Sequence, residues 1–318
     1  MSLSPATSPE NPRLGLAPPL APGGAGVPVL WLGVNVALVA LLFGGRFAQL
    51  VGVWLKDPNY SHGFFVPLIS GWLAWRYLEK AGRPGAGEVG PGVASLVAGC
   101  ITHLFAVTLG LAVIDFIALA MVLRGLAVCV GGRPWASGFT FPILFLFFMF
   151  PLPGLLTAMA ALWLQNWVSA CSAAVLELFT VCYRRGHSLL LAGVNEPLVV
   201  AAECSGLRQI VAFVALGALI GYLGLRTGWG RTLLLLAAVP VAILANVTRV
   251  LLMAAGAIFF GTDWLSGWLH TAPALVTLPL GLALFGLVAW GVSSLEGKPA
   301  SAPPCPAGKS VTGTEAKP

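Results

Sequence analysis

The chain of 318 residues is 58% hydrophobic and only 9% charged, with a formal net charge of +6. A soluble domain carries roughly 25% charged residues, so these proportions exclude a soluble fold, which could not cover its surface. The positive charge is spread over loops and tails, and no Lys/Arg run interleaves with aromatics, which argues against a nucleic-acid partner.

Residues 1–26 are rich in Pro, Gly and Ser and read as a disordered tail without a cleavable secretory signal. A transmembrane domain is predicted over 27–295, opening with a retained span from Val27 to Gly45. Further spans are predicted near 62–79, 90–112, 114–131, 138–151, 204–225, 232–260 and 271–293, against the roughly 20 apolar residues that cross a bilayer. The run 232–260 exceeds that need and contains Pro240, so it is expected to tilt or bend. The segment 154–182 is apolar but carries Gln165, Asn166, Ser169, Ser172 and Glu177, and is expected to form an interfacial or re-entrant helix. Residues 296–318 read as a second disordered tail. The predicted fold class is therefore all-α, a polytopic membrane helical bundle of about eight transmembrane helices. No internal repeat is visible, which weakens a transporter reading.

Orientation follows the basic residues of the short loops. Arg76, Lys80 and Arg83 follow the second span, Arg133 the fourth, and Lys298, Lys309 and Lys317 the last, while Arg226 and Arg231 flank the turn between the sixth and seventh. With these in the cytoplasm, both termini lie on the inner side of the cell membrane. Tyr60-Ser61-His62, Glu203-Cys204 and Thr262–His270 then fall on the external face. Arg184 and Arg185 fall outside as well, against the trend.

The six cysteines form no disulfide framework. Cys100, Cys129, Cys171 and Cys182 lie in or beside apolar runs, where Cys acts as a small hydrophobe, and Cys305 is in the tail. There is no CxxC, no HExxH and no GxSxG, so neither a zinc site nor a serine nucleophile turn is indicated, and no cofactor is expected. Cys204 stands apart, within the polar stretch Glu203-Cys204-Ser205-Gly206-Leu207-Arg208-Gln209 at the start of an apolar run. Ser205 is expected to cap the helix, placing Cys204 at the positive end of the helix dipole, and Arg208 four residues on would share its face. Both effects favour thiolate over thiol.

Three further polar groups interrupt the apolar chain: Tyr60 with His62, Asn246 with Arg249, and His270. A mid-helix Arg costs about 2.5–3.5 kcal/mol on insertion scales, so Arg249 should face a partner or a polar cavity. Asn246, three residues earlier, shares its face. Taken singly, each group also has a plain structural reading: interfacial anchors for Tyr60, His62 and His270, a polar pair for Asn246 and Arg249, and an incidental cysteine at a helix start. Taken together, a thiol, a guanidinium and an imidazole near one membrane face can attack a carbonyl, hold the oxyanion and move a proton.

The segments YSHGFFVPL at 60–68, RPW at 133–135, PLPG at 151–154, ECSGLRQ at 203–209 and NVTR at 246–249, with His270 before the last span, resemble the exosortases and more distantly the archaeosortases. The resemblance covers about 45–295. It implies a membrane-embedded cysteine peptidase/transpeptidase that cleaves C-terminal sorting signals of exported proteins. Such a signal is a Pro-containing motif, a transmembrane helix and a basic tail. The resemblance also implies a cell-surface acceptor. By position it makes Cys204 the nucleophile, Arg249 the oxyanion or orienting group and His270 the general acid/base, with Tyr60, His62, Arg208 and Asn246 supporting or contacting the substrate. Glu203, adjacent to the cysteine, departs from the family's usual spacing by one residue. The residues themselves leave open a multipass transporter lined by Arg249 and the histidines, or a non-catalytic component of polysaccharide assembly.

Overall fold

The computed structural model describes residues 29–82, 84–200, 206–261 and 272–296. The predicted tails, apart from Glu296, lie outside the described residues, as does Arg83. The described chain forms α1 (Val29–Lys56), a 3-10 helix (Pro58–Phe64), α2 (Phe65–Ala81), α3 (Val89–Leu109), α4 (Ala112–Ser137) and α5 (Thr140–Phe145), which runs into a 3-10 turn (Leu146–Met149). Then come α6 (Gly154–Leu176), strands β1 (Cys182–Arg185), β2 (Ser188–Leu191) and β3 (Leu198–Val199), α7 (Leu207–Gly224), α8 (Gly228–Phe260) and α9 (Ala272–Leu295). Six of the eight predicted spans fall on helices long enough to cross a membrane; the span predicted at 62–79 falls on the 17-residue α2, and that at 138–151 on the six-residue α5 and its 3-10 turn. Seven helices, α6 among them, are long and apolar enough to cross a membrane, so the chain is a polytopic helical membrane protein.

Several boundaries differ from the sequence expectation. The first helix does not stop at Gly45 but continues to Lys56. Arg46, one residue past the predicted end, is carried inside the bundle because its Nε pairs with the carboxylate of Asp115 on α4. Asp115 is fully buried and also accepts from or pairs with Nδ1 of His103 on α3 at 2.8 Å. Three polar side chains on three helices thus satisfy one another where water cannot. The sixth predicted span begins not at residue 204 but at Leu207, because Gly206 takes a left-handed conformation (φ 87°) that ends the helix in the N-terminal direction.

Two chain segments define a long axis. Tyr77 donates to the carbonyl of Trp135 at 2.8 Å and Ser70 to that of Pro142 at 2.7 Å, while Nε2 of His62 lies 3.2 Å from the carbonyl of Phe148. The backbone N–H of Leu152 donates to Tyr60 Oη at 3.2 Å. Residues 135–152 therefore climb antiparallel to 77–60, so the short α5 segment matches α2 in height. The 3-10 helix marks one end of the bundle. At the other end α7 turns into α8, where Arg231 donates to the carbonyls of Gly221 and Leu225 and Glu296 at the foot of α9 accepts from Arg226 and Thr227. Phe141 of α5 stacks on Tyr222 of α7 with centroids 3.8 Å apart, which brings both halves into one register. α8 passes through Pro240 without losing helical assignment.

The antiparallel sheet β1-β2-β3 is absent from the all-α expectation. The predicted helix over 154–182 ends at Leu176, and Cys182 begins a hairpin. Leu189, Leu191, Leu198 and Val200 turn inward with Cys182 and pack against Val247, Val250, Met253 and Ala254 of α8. Arg184 and Arg185 sit exposed on this hairpin, which explains basic residues away from the other loops. Val168, Ala173 and Leu176 of α6 join the same cluster, on the part of α8 remote from the α7–α8 turn. Since α6 also starts just after Leu152 at the 3-10 end, both of its ends lie toward that end of the bundle. Although long and apolar enough to cross, α6 does not run from one end of the bundle to the other.

Candidate functional site

At the 3-10 end, Asp57 caps the short helix by accepting the N–H of Asn59 at 2.9 Å, and Pro58 fixes its first position. Trp54 Nε1 donates to the carbonyl of Met149 at 2.9 Å. The Trp54 ring lies directly over Gly63, leaving no room for a β-carbon there. Tyr60 and His62 are thereby fixed against residues 148–152. Burial lowers the pKa of His62, partly opposed by the carbonyls of Phe148 and Asn59, so a neutral imidazole is favoured. Burial raises the pKa of Tyr60, partly offset by the bond from Leu152, and the nearby Asp57 raises it further, so the phenol keeps its proton. The 3-10 helix packs on α7.

The second part of the site is built by α7, α8 and α9. Gly281 of α9 packs on Phe213 of α7 and Ala245 of α8: a β-carbon at 281 would stand 2.9 Å from the Phe213 ring and 3.2 Å from Cβ of Ala245. Phe213 also stacks on Phe285 with centroids 5.4 Å apart, sealing the bundle below. One helical turn nearer the 3-10 end, the same helices carry Gln209, Arg249 and Thr277. Each has a buried polar atom without a hydrogen-bond partner among the described residues: Gln209 Oε1, Arg249 Nε and Thr277 Oγ1. Thr277 is 0% exposed and Asn246, at 1%, flanks the layer. Gly206 closes it from above, since a β-carbon there would fall 3.4 Å from Cβ and 3.5 Å from Nδ2 of Asn246.

Of the residues singled out from sequence, Tyr60 and His62 share one cluster, and Asn246 and Arg249 share the α8 face beneath Gly206. Arg208 is exposed on the first turn of α7. The expectation that Arg208 shares a helical face with Cys204 falls on a residue outside the described ones. Cys204 and His270, with Glu203 and Ser205, lie outside the described residues. Gln209 and Thr277 were given no role from sequence. Their signal was the cost of a lone polar group in an apolar run, as in Leu275-Val276-Thr277-Leu278. Among the described residues no group of three His, Cys, Asp or Glu side chains could hold a metal ion.

Fold and site together define a multipass helical membrane protein that keeps a polar, partly unsatisfied layer beneath one end of its bundle. A family model described as transmembrane exosortase matches residues 54–292, well over half of the chain and inclusive of every candidate residue above. The chain belongs to the transmembrane exosortase family. No curated protein and no solved structure matches it.

Proposed function

We propose that this protein is a membrane-embedded cysteine peptidase/transpeptidase that cleaves the C-terminal sorting signal of exported proteins. The observation that carries the reading is the seat of Gly206 on Asn246. Cys204 lies two residues before Gly206 in the chain. Two residues of chain span at most about 7 Å, and in this reading the thiol works at the face that bears Arg249. His270 lies two residues before α9 in the chain, and in this reading it serves the same site.

In the proposed reaction the Cys204 thiolate attacks the carbonyl carbon of the scissile peptide bond. The negative charge moves to oxygen, where Arg249 donates to it. Collapse breaks the C–N bond, the leaving amine takes a proton from His270, and a thioester remains on Cys204. An amine or hydroxyl of the acceptor, or water, gives its proton to His270 and attacks the thioester, which restores the thiolate. His62 and Tyr60 support the substrate from the 3-10 end. Arg76, Lys80, Arg133, Arg226 and Arg231 lie toward the opposite end, which supports a cytoplasmic location for it and an external active site in the cell membrane. The test replaces Cys204 by Ala and by Ser and follows the size of candidate substrates in membranes. Loss of processing, with loss of a hydroxylamine-sensitive adduct, is expected; unchanged processing would remove the nucleophile.

A further inference from the structure

The end of the bundle opposite the 3-10 helix holds a half-open crevice between α5, α7 and α8, with a volume of about 130 Å³. Gly217, Ala218 and Gly221 of α7 and Leu235 of α8 line it with little more than backbone and alkyl carbon, and the stacked rings of Phe141 and Tyr222 complete the lining. Arg231, in the first turn of α8, supplies its cation, while Gly217 and Leu235 lie one helical turn further into the bundle. The crevice is therefore cationic at its outer end and apolar below. Gly221 seats the arginine stem, since a β-carbon there would stand 3.4 Å from Cγ of Arg231. Nε and Nη2 are fixed on the carbonyls of Gly221 and Leu225 at 3.0 and 2.9 Å. Among the described residues Nη1 has no acceptor and Arg231 forms no ion pair. The carboxylate of Glu296 is occupied by the N–H of Arg226 and by the N–H and hydroxyl of Thr227.

We infer that this crevice binds one anionic phospholipid of the surrounding bilayer, with the phosphate on Arg231 and an acyl chain along Gly217, Ala218 and Leu235. A pinned guanidinium offers its remaining planar N–H donors to phosphate oxygens, and a basic pocket between membrane helices is a recurrent seat for such headgroups. The same end carries Arg76, Lys80, Arg133 and Arg226, which with Arg231 outnumber Glu79, Glu88 and Glu296, so an anionic headgroup is favoured over a zwitterionic one. A transmembrane helix fits less well. With its side chains it is about 10 Å across, too thick for a slot of about 130 Å³, and one that ends in a basic tail would meet Arg231 and Arg226 as like charges. Because Phe141 belongs to α5 and Tyr222 to α7, a lipid held beside them bridges the two halves of the bundle. The inference is independent of the catalytic reading.

The experiment places the full chain in phosphatidylcholine nanodiscs that contain a phosphatidylglycerol with a diazirine on one acyl chain. After irradiation and digestion, mass spectrometry maps the adducts. They are expected on the peptides of Ala218 and Leu235, with unlabelled phosphatidylglycerol displacing them. A diazirine phosphatidylcholine should label the crevice about 5-fold less, the weight of one arginine at an anionic lipid surface. Arg231→Gln should lower the phosphatidylglycerol adduct by a similar factor of about 5. Since Arg231 also holds the end of α7, Ala218→Phe serves as the second variant: it fills the crevice and leaves the arginine in place. It should abolish the adduct there while labelling at the exposed Ile101 and Leu104 of α3 is unchanged. If the two lipids label the crevice alike, or if its adduct survives Ala218→Phe, the contact is ordinary bilayer solvation and the inference is overturned. If the crevice takes no adduct and Ala218→Phe instead changes the number of chains per disc, a protein helix fills it and the inference is equally overturned.

Discussion

Gly206, at the start of α7, lies on Asn246 of α8 with its backbone in the left-handed region, φ 87°. The space above Asn246 would admit a β-carbon at 3.4 Å, so the conformation rather than the contact demands glycine. A non-glycine residue in this region costs about 1–2 kcal/mol. Gly206→Ala is expected to lower stability by about that amount and to reduce substrate processing further than the stability loss accounts for. Thermal unfolding in nanodiscs alongside processing assays checks both parts.

Arg249 sits in the α8 interior with Nε buried and unpaired among the described residues. If it serves the oxyanion, Arg249→Ala should reduce processing by about 100- to 1000-fold. Arg249→Lys should recover little, because an ammonium lacks the planar donor fork. Full activity in the Lys variant would instead indicate a simple charge requirement.

The buried Arg46–Asp115–His103 cluster joins α1, α3 and α4. Removing one partner of a buried ion pair costs about 3–5 kcal/mol, whereas removing both is milder. Asp115→Asn is therefore expected to lower thermal stability more than the double change Arg46→Gln with Asp115→Asn. Denaturation of the two variants, compared in the same lipid, decides the matter.

His62 titrates below the ordinary histidine value of about 6.5 because burial disfavours the imidazolium. The unfolded chain then binds the proton more readily than the folded one. Stability should fall as pH drops below about 6.5 and level off once pH passes below the depressed folded value. His62→Gln, which can still donate to the carbonyl of Phe148, should remove this part of the slope. An unchanged pH profile in that variant would assign the slope to other groups.

The membrane class and six of the eight predicted spans were legible in the chain, because apolar length alone decides what can cross a bilayer. So was the cost of Arg249, since a charge in an apolar helix needs a partner wherever that helix lies. The hairpin Cys182–Leu191 was not legible: its short apolar run matches a helix end equally well, and only packing on Val247–Ala254 selects the strand. The continuation of α1 through Arg46 likewise depends on Asp115, 69 positions away in the sequence. Gln209 and Thr277 acquire significance only through the Gly281 contact that levels three helices. Composition and local pattern thus determined that the chain enters the membrane and where it crosses. Which polar side chains share a height was decided by helix-to-helix register, a long-range packing property that no local window encodes.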